Sequence, residues 1–144
     1  MTYGGVHEAL RQYRKLQTET AVETADSHRL IAMLLEGAIE RIGRAKAHLE
    51  RGETARKGEQ IGLAVSIIEG LRTALDHERG GEIAANLEAL YDYMERRLTE
   101  GNLRNDASAL EEVAGLLAQI RDAWAAVPGL LAREARAAAA GAGR

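Results

Sequence analysis

The stretch SHRLIAMLLEGAIERIGRAKAHLER, residues 27–51, decides the fold. Within it Ile31, Leu35, Ala38, Ile42, Ala45 and Leu49 recur at alternating steps of four and three, the spacing of one helical seam. Leu30, Met33 and Leu34 widen that seam near its start, so the helix faces more than one neighbour. Asp26 stands where a side-chain N-cap would fall, and Gly52 where a left-handed C-cap would end the helix.

Working outward, the same period returns three times. A second helix is expected from Thr54 to about Glu78, with Ile61, Ala64, Ile68, Leu71 and Leu75 as its seam and the Gly80-Gly81 pair as its end. A third is expected from about Glu82 to Asn102 on Ile83, Leu87, Leu90, Met94 and Arg97 or Leu98, with Tyr91 beside the stripe. Asp106 then caps a fourth from Ala107 to about Ala126 on Leu110, Val113, Leu117, Ile120 and Trp124, stopped by Pro128 and Gly129. Connections of a few residues make neighbouring helices antiparallel. The expected fold is all-α, an antiparallel up-down four-helix bundle over residues 26–128. Residues 1–25 read as a short amphipathic helical segment on Val6, Leu10, Tyr13 and Leu16 followed by a linker. Residues 129–144 read as a mobile, Ala-rich tail with three Arg and one Glu.

Composition narrows the function classes. The chain has 144 residues, no Phe, one Trp, four Tyr and a single Pro, so aliphatic side chains on helices must build the core. Nineteen basic against 22 acidic residues leave a net charge of −3, which speaks against a nucleic-acid partner. The absence of Cys excludes disulfides, thiolate nucleophiles and Cys-based metal sites. Met1–Gly5 carries no basic cluster leading into an apolar run, and every apolar stretch falls far short of the roughly 20 residues that span a bilayer. A cytoplasmic protein without membrane insertion is expected.

No catalytic, cofactor or metal site emerges. A di-iron bundle needs Glu-x-x-His pairs, but Gly4, Ala25, Ala45 and Ala74 stand three residues before the four histidines. His48 through Gly52 loosely resembles the phosphorylated motif of histidine phosphotransfer domains. Gly52 reads better as the helix stop, and His48 as a residue favoured in the last turn by the helix dipole. His28 reads as a solvated or capping residue of a first helical turn, and Trp124 as core. Nothing pairs as general acid and base, so the chain is not expected to be an enzyme.

Three blocks carry a resemblance to a known family. The first is Tyr13 with Gln17-Thr18 and Thr24-Ala25-Asp26, leading into Leu30 and Met33-Leu34-Leu35-Glu36-Gly37-Ala38. The second runs Gly80-Gly81-Glu82-Ile83-Ala84-Ala85-Asn86-Leu87, then Leu90-Tyr91-Asp92-Tyr93-Met94 and Arg97-Leu98. The third is Asn102-Leu103-Arg104-Asn105-Asp106, Leu110-Glu111-Glu112-Val113 and Arg121-Asp122-Ala123-Trp124. Together they resemble the FliS family of flagellin-specific export chaperones. Ser27 stands where the family commonly has Pro, and the Ala-rich tail lies outside the resemblance.

The resemblance implies a chaperone without ATPase activity or cofactor. It would hold the disordered C-terminal segment of flagellin, which becomes helical on the bundle, prevent premature polymerisation and help deliver it to a component of the flagellar export gate. It also implies that the N-terminal segment, by position Leu10 and Tyr13, plugs the hydrophobic site when cargo is absent. Leu30, Leu34, Leu63, Ile67, Tyr91 and Leu98, off the best seams or beside them, are the expected cargo groove. A scaffold that uses the same exposed stripe to form a homodimer is the alternative from another class.

Overall fold

A computed structural model of the chain describes residues 23–142, folded as four helices. They are α1 (Glu23–Glu50), α2 (Thr54–Thr73), α3 (His77–Arg104) and α4 (Ala107–Ala142). Each packs on its neighbour in sequence, and α1 closes the ring against α4. Side-chain pairs fix the directions. His28 meets Trp124 while Lys46 meets Glu111, and Arg72 meets Asp92 while Lys57 meets Asn102, so α1 runs against α4 and α2 against α3. The expected antiparallel bundle is what forms.

The seam read from residues 27–51 is the inner face of α1. Leu35, Ala38, Ile42 and Ala45 are fully buried, against Ile61, Ala64, Ile68 and Leu71 of α2, Tyr91, Met94 and Leu98 of α3, and Leu110, Val113 and Leu117 of α4. Gly52 ends the helix as expected: its φ is 73°, and the Glu53 amide returns to the His48 carbonyl at 2.9 Å.

Several boundaries differ from expectation. Asp26 is not the N-cap of α1, because Glu23, Thr24 and Ala25 add nearly another helical turn before it. Glu and Ala are good helix formers, and acidic side chains suit a helix N-terminus. The second helix ends at Thr73 rather than near Glu78, because Asp76 starts the next one: its carboxylate accepts the Arg79 amide at 3.2 Å. The glycine pair therefore breaks α3 from within. Gly81 has φ 49° and ψ −122°, and a Cβ on Gly80 would lie 2.8 Å from that of Ala84. Only glycine suits either place. At the far end α3 runs to Arg104, with Asn105 left-handed at φ 52°.

The fourth helix does not stop at Pro128 and Gly129. It passes through both and reaches Ala142, with Pro128 and all that follows exposed through Gly141. The N-terminal segment, including Leu10 and Tyr13, lies outside the described residues.

Candidate functional site

The core is unfinished at one end. Beyond the sealed layers, Ile31 of α1, Leu75 after α2, Leu87 of α3, and Ile120 and Trp124 of α4 are only half-buried, and Ile83 is 71% exposed. They line a cleft of about 370 Å³ whose floor is Leu35, Leu71, Ala84 and Tyr91. Asp76 and Arg79 supply its charged rim. The cleft exists because α2 ends early and the first turn of α3 leaves the helix axis at Gly81. Four apolar seams therefore continue past the point where the bundle closes. The expected stripe of α3 shifts accordingly: Ile83 faces outward, and Ala84 turns inward instead.

Trp124 stands at the rim rather than in the core. Its ring stacks on His28, with centroids 4.7 Å apart and planes within 10°. The indole Nε1–H donates to the His28 carbonyl at 2.8 Å, and His28 Nε2 donates to the Trp124 carbonyl at 2.6 Å. The second bond explains the passage through Pro128. Proline has no amide hydrogen for the carbonyl four residues back, which is that of Trp124. His28 supplies the missing donor. His28 is thus part of the α1–α4 joint, not a solvated surface residue, and the Trp-to-Pro spacing of four was the sequence signal for it.

Of the six expected groove residues the structure brings Tyr91 alone into the cleft. Burial pushes its phenol up to about 12, so it stays neutral. Leu30 and Leu34 of α1 and Leu63 of α2 are half-buried, and Ile67 and Leu98 are sealed in the core at 8% and 0% exposure. Tyr93 faces outward, its hydroxyl donating to Glu112 at 2.7 Å beside the Arg97–Glu112 pair. Those two donors, Tyr93 first, hold the Glu112 carboxyl below its ordinary range.

Among the described residues no group of three His, Asp or Glu is placed to hold a metal ion. His48 lies in the last turn of α1, its Nδ1 2.9 Å from Glu53 Oε1. Between α2 and α3, burial and then a hydrogen bond to Glu69 push the Glu95 carboxyl up to about 7, with Arg72 partly offsetting. These groups lie apart from the cleft, which offers apolar contact and no reacting pair. Such a surface suits the apolar face of an amphipathic helix. No helix among the described residues is long and apolar enough to cross a membrane.

Comparison with known proteins finds relatives along most of the chain. The family model of the flagellar protein FliS matches residues 9–129. The chain is 51% identical to the flagellar secretion chaperone FliS of Salmonella typhimurium, over 80% of this chain and 86% of that protein. It is 47% identical to the flagellar secretion chaperone FliSB of Pseudomonas aeruginosa, over 81% of this chain and 93% of that one. It is 38% identical to the FliS of Bacillus subtilis, over 74% and 78%.

Proposed function

The chain belongs to the FliS family of flagellar secretion chaperones, and on that premise we propose that it binds the disordered C-terminal region of flagellin in the cytoplasm. Binding there prevents premature polymerisation and presents the cargo to a component of the export gate. The observation that carries this reading is the unfinished core: apolar seams from all four helices reach one cleft, where a cargo helix supplies the missing layer. A cargo that folds as it binds loses several kcal/mol to ordering, so it must cover a wide area. Leu30, Leu34 and Leu63, half-buried on α1 and α2, extend the contact beyond the cleft. Tyr91 is its floor, whereas Ile67 and Leu98 are sealed in the core. The N-terminal segment, through Leu10 and Tyr13, occupies the cleft when cargo is absent and lowers apparent affinity in proportion to its occupancy.

The test is calorimetry and light scattering with flagellin carrying and lacking its C-terminal region. A one-to-one complex only with the intact region is expected. No binding at micromolar concentration would sink the proposal, and a homodimer indifferent to flagellin would favour the scaffold alternative. Removing residues 1–16 should tighten binding or speed its onset. Unchanged affinity and rates would reduce that segment to a passive arm.

A further inference from the structure

Trp124 is a wall of the cleft whose own hydrogen-bonding capacity is already used. An indole has one donor, and here that Nε1–H goes to the His28 carbonyl at 2.8 Å. One face of the ring is covered by the His28 imidazole, stacked at 4.7 Å. Trp124 lines the cleft and His28 does not, so the imidazole backs the indole from the side away from it. The cleft therefore meets an aromatic surface with no donor to offer.

Three contacts fix where that surface stands. The stack sets the plane of the ring, the indole bond sets its rotation within the plane, and His28 Nε2–H holds the Trp124 carbonyl at 2.6 Å. The last is needed because Pro128 withholds the helical amide, so this carbonyl is held from α1 rather than by its own helix. Both side chains are only half-buried, and core packing alone leaves a ring at such a site free to change rotamer. Charge lies elsewhere: among the lining residues only Asp76 and Arg79, at the start of α3, carry it. A bound segment that sets a polar side chain against Trp124 leaves that group without a partner, which is unfavourable.

We propose that His28 is a positioning residue: it pins the Trp124 indole as a donor-free wall, and that wall makes the cleft select an aliphatic side chain on the segment it receives. The inference rests on the reading of the cleft as the cargo site, and names the chemistry that this corner of it accepts.

The experiment uses the full-length protein, with a C-terminal flagellin fragment as the probe. Trp124 is the sole tryptophan, so its indole Nε1–H gives a single nuclear magnetic resonance signal. In His28→Ala the relaxation of that nitrogen should reveal sub-nanosecond ring motion absent from the parent, and the dissociation constant for the fragment should rise about tenfold. Unchanged amide shifts in α2 and α3 verify the fold. His28→Gln, which retains a donor but no ring, should loosen the indole likewise. A double-mutant cycle separates positioning from general support: in a Trp124→Ala background, His28→Ala should change the dissociation constant by less than about twofold. His28→Phe combined with Pro128→Ala returns a stacking ring and a helical amide, and should recover the parent affinity to within about threefold. Replacing each Leu of the fragment by Asn should find a position whose penalty shrinks in His28→Ala. An indole equally rigid without the imidazole, losses that add across the cycle, or a scan with no such position would each overturn the proposal. A parent that binds no fragment sinks the flagellin reading, whereas a rigid indole in His28→Ala sinks this one whatever the fragment does.

Discussion

Pro128 takes away the amide that would close the helix on Trp124, and His28 replaces it from another helix. Removing the imidazole strips that carbonyl of its donor and Trp124 of its stacking partner. His28→Ala should cost about 1–2 kcal/mol in urea denaturation. With Pro128→Ala the helical donor returns, so the same His28 substitution should then cost about 1 kcal/mol less. Equal costs in both backgrounds would show that the carbonyl does not need His28. Lys57 does related work at the other end of the bundle. It is 2% exposed, and its Nζ donates to the Asn102 carbonyl at 2.9 Å and to the Asn105 side chain, at the C-terminus of α3 where a cation is favoured. Lys57→Met keeps the stem but leaves these acceptors unpaired, and should lower stability by about 1–3 kcal/mol in the same assay. Neither residue could be picked from its own type. A lone His or Lys on a helix is ordinarily a solvated side chain, and only the partner across the bundle changes that.

Elements were legible where periodicity was long and illegible where two end signals competed. The α1 seam, its Gly52 stop and the Asp106 start follow from local chemistry alone. The α2–α3 junction does not. Leu75 continues the apolar step and Gly80-Gly81 looks like a boundary, whereas Asp76 decides it by capping. The cleft escaped the sequence for the same reason, because it depends on that early end and on the turn before Gly81. At the α2–α3 interface the Glu95 carboxyl, raised to about 7 by burial and Glu69, gives a prediction with a definite sign. The fold binds this proton more tightly than the unfolded chain does. The resulting stabilisation is full below the ordinary carboxylate range, near 4.5, and is lost as pH rises through about 7. Urea midpoints measured from pH 5 to 8 should therefore fall less steeply in Glu95→Gln than in the parent. A parallel decline would place the sensitivity elsewhere.

At the scale of the molecule, stability resides in the aliphatic layers rather than in the ion pairs around them. The pairs that tie α4 to its neighbours, Lys46–Glu111, Arg121–Glu36 and Arg97–Glu112, are solvent-accessible. Exposed pairs are worth up to about 1 kcal/mol each and are screened by salt. Raising NaCl from about 0.05 to about 0.5 M should lower unfolding free energy by no more than about 1 kcal/mol. Leu117→Ala, at a site with 0% exposure, should cost about 2–5 kcal/mol in the same measurement. A salt effect as large as the cavity effect would reverse this ranking.

The ring of four helices also sets an order of events. Three interfaces join consecutive helices, which meet after short loops, while α1 and α4 meet only after the rest of the bundle has been made. Local contacts form quickly, and distant ones wait on the closure of a longer loop. The α1–α4 joint is thus expected to be the slow closure in folding. Because that joint carries Trp124 at the rim of the cleft, the cleft is expected to take shape late in folding, which a slow phase in Trp124 fluorescence on refolding would show.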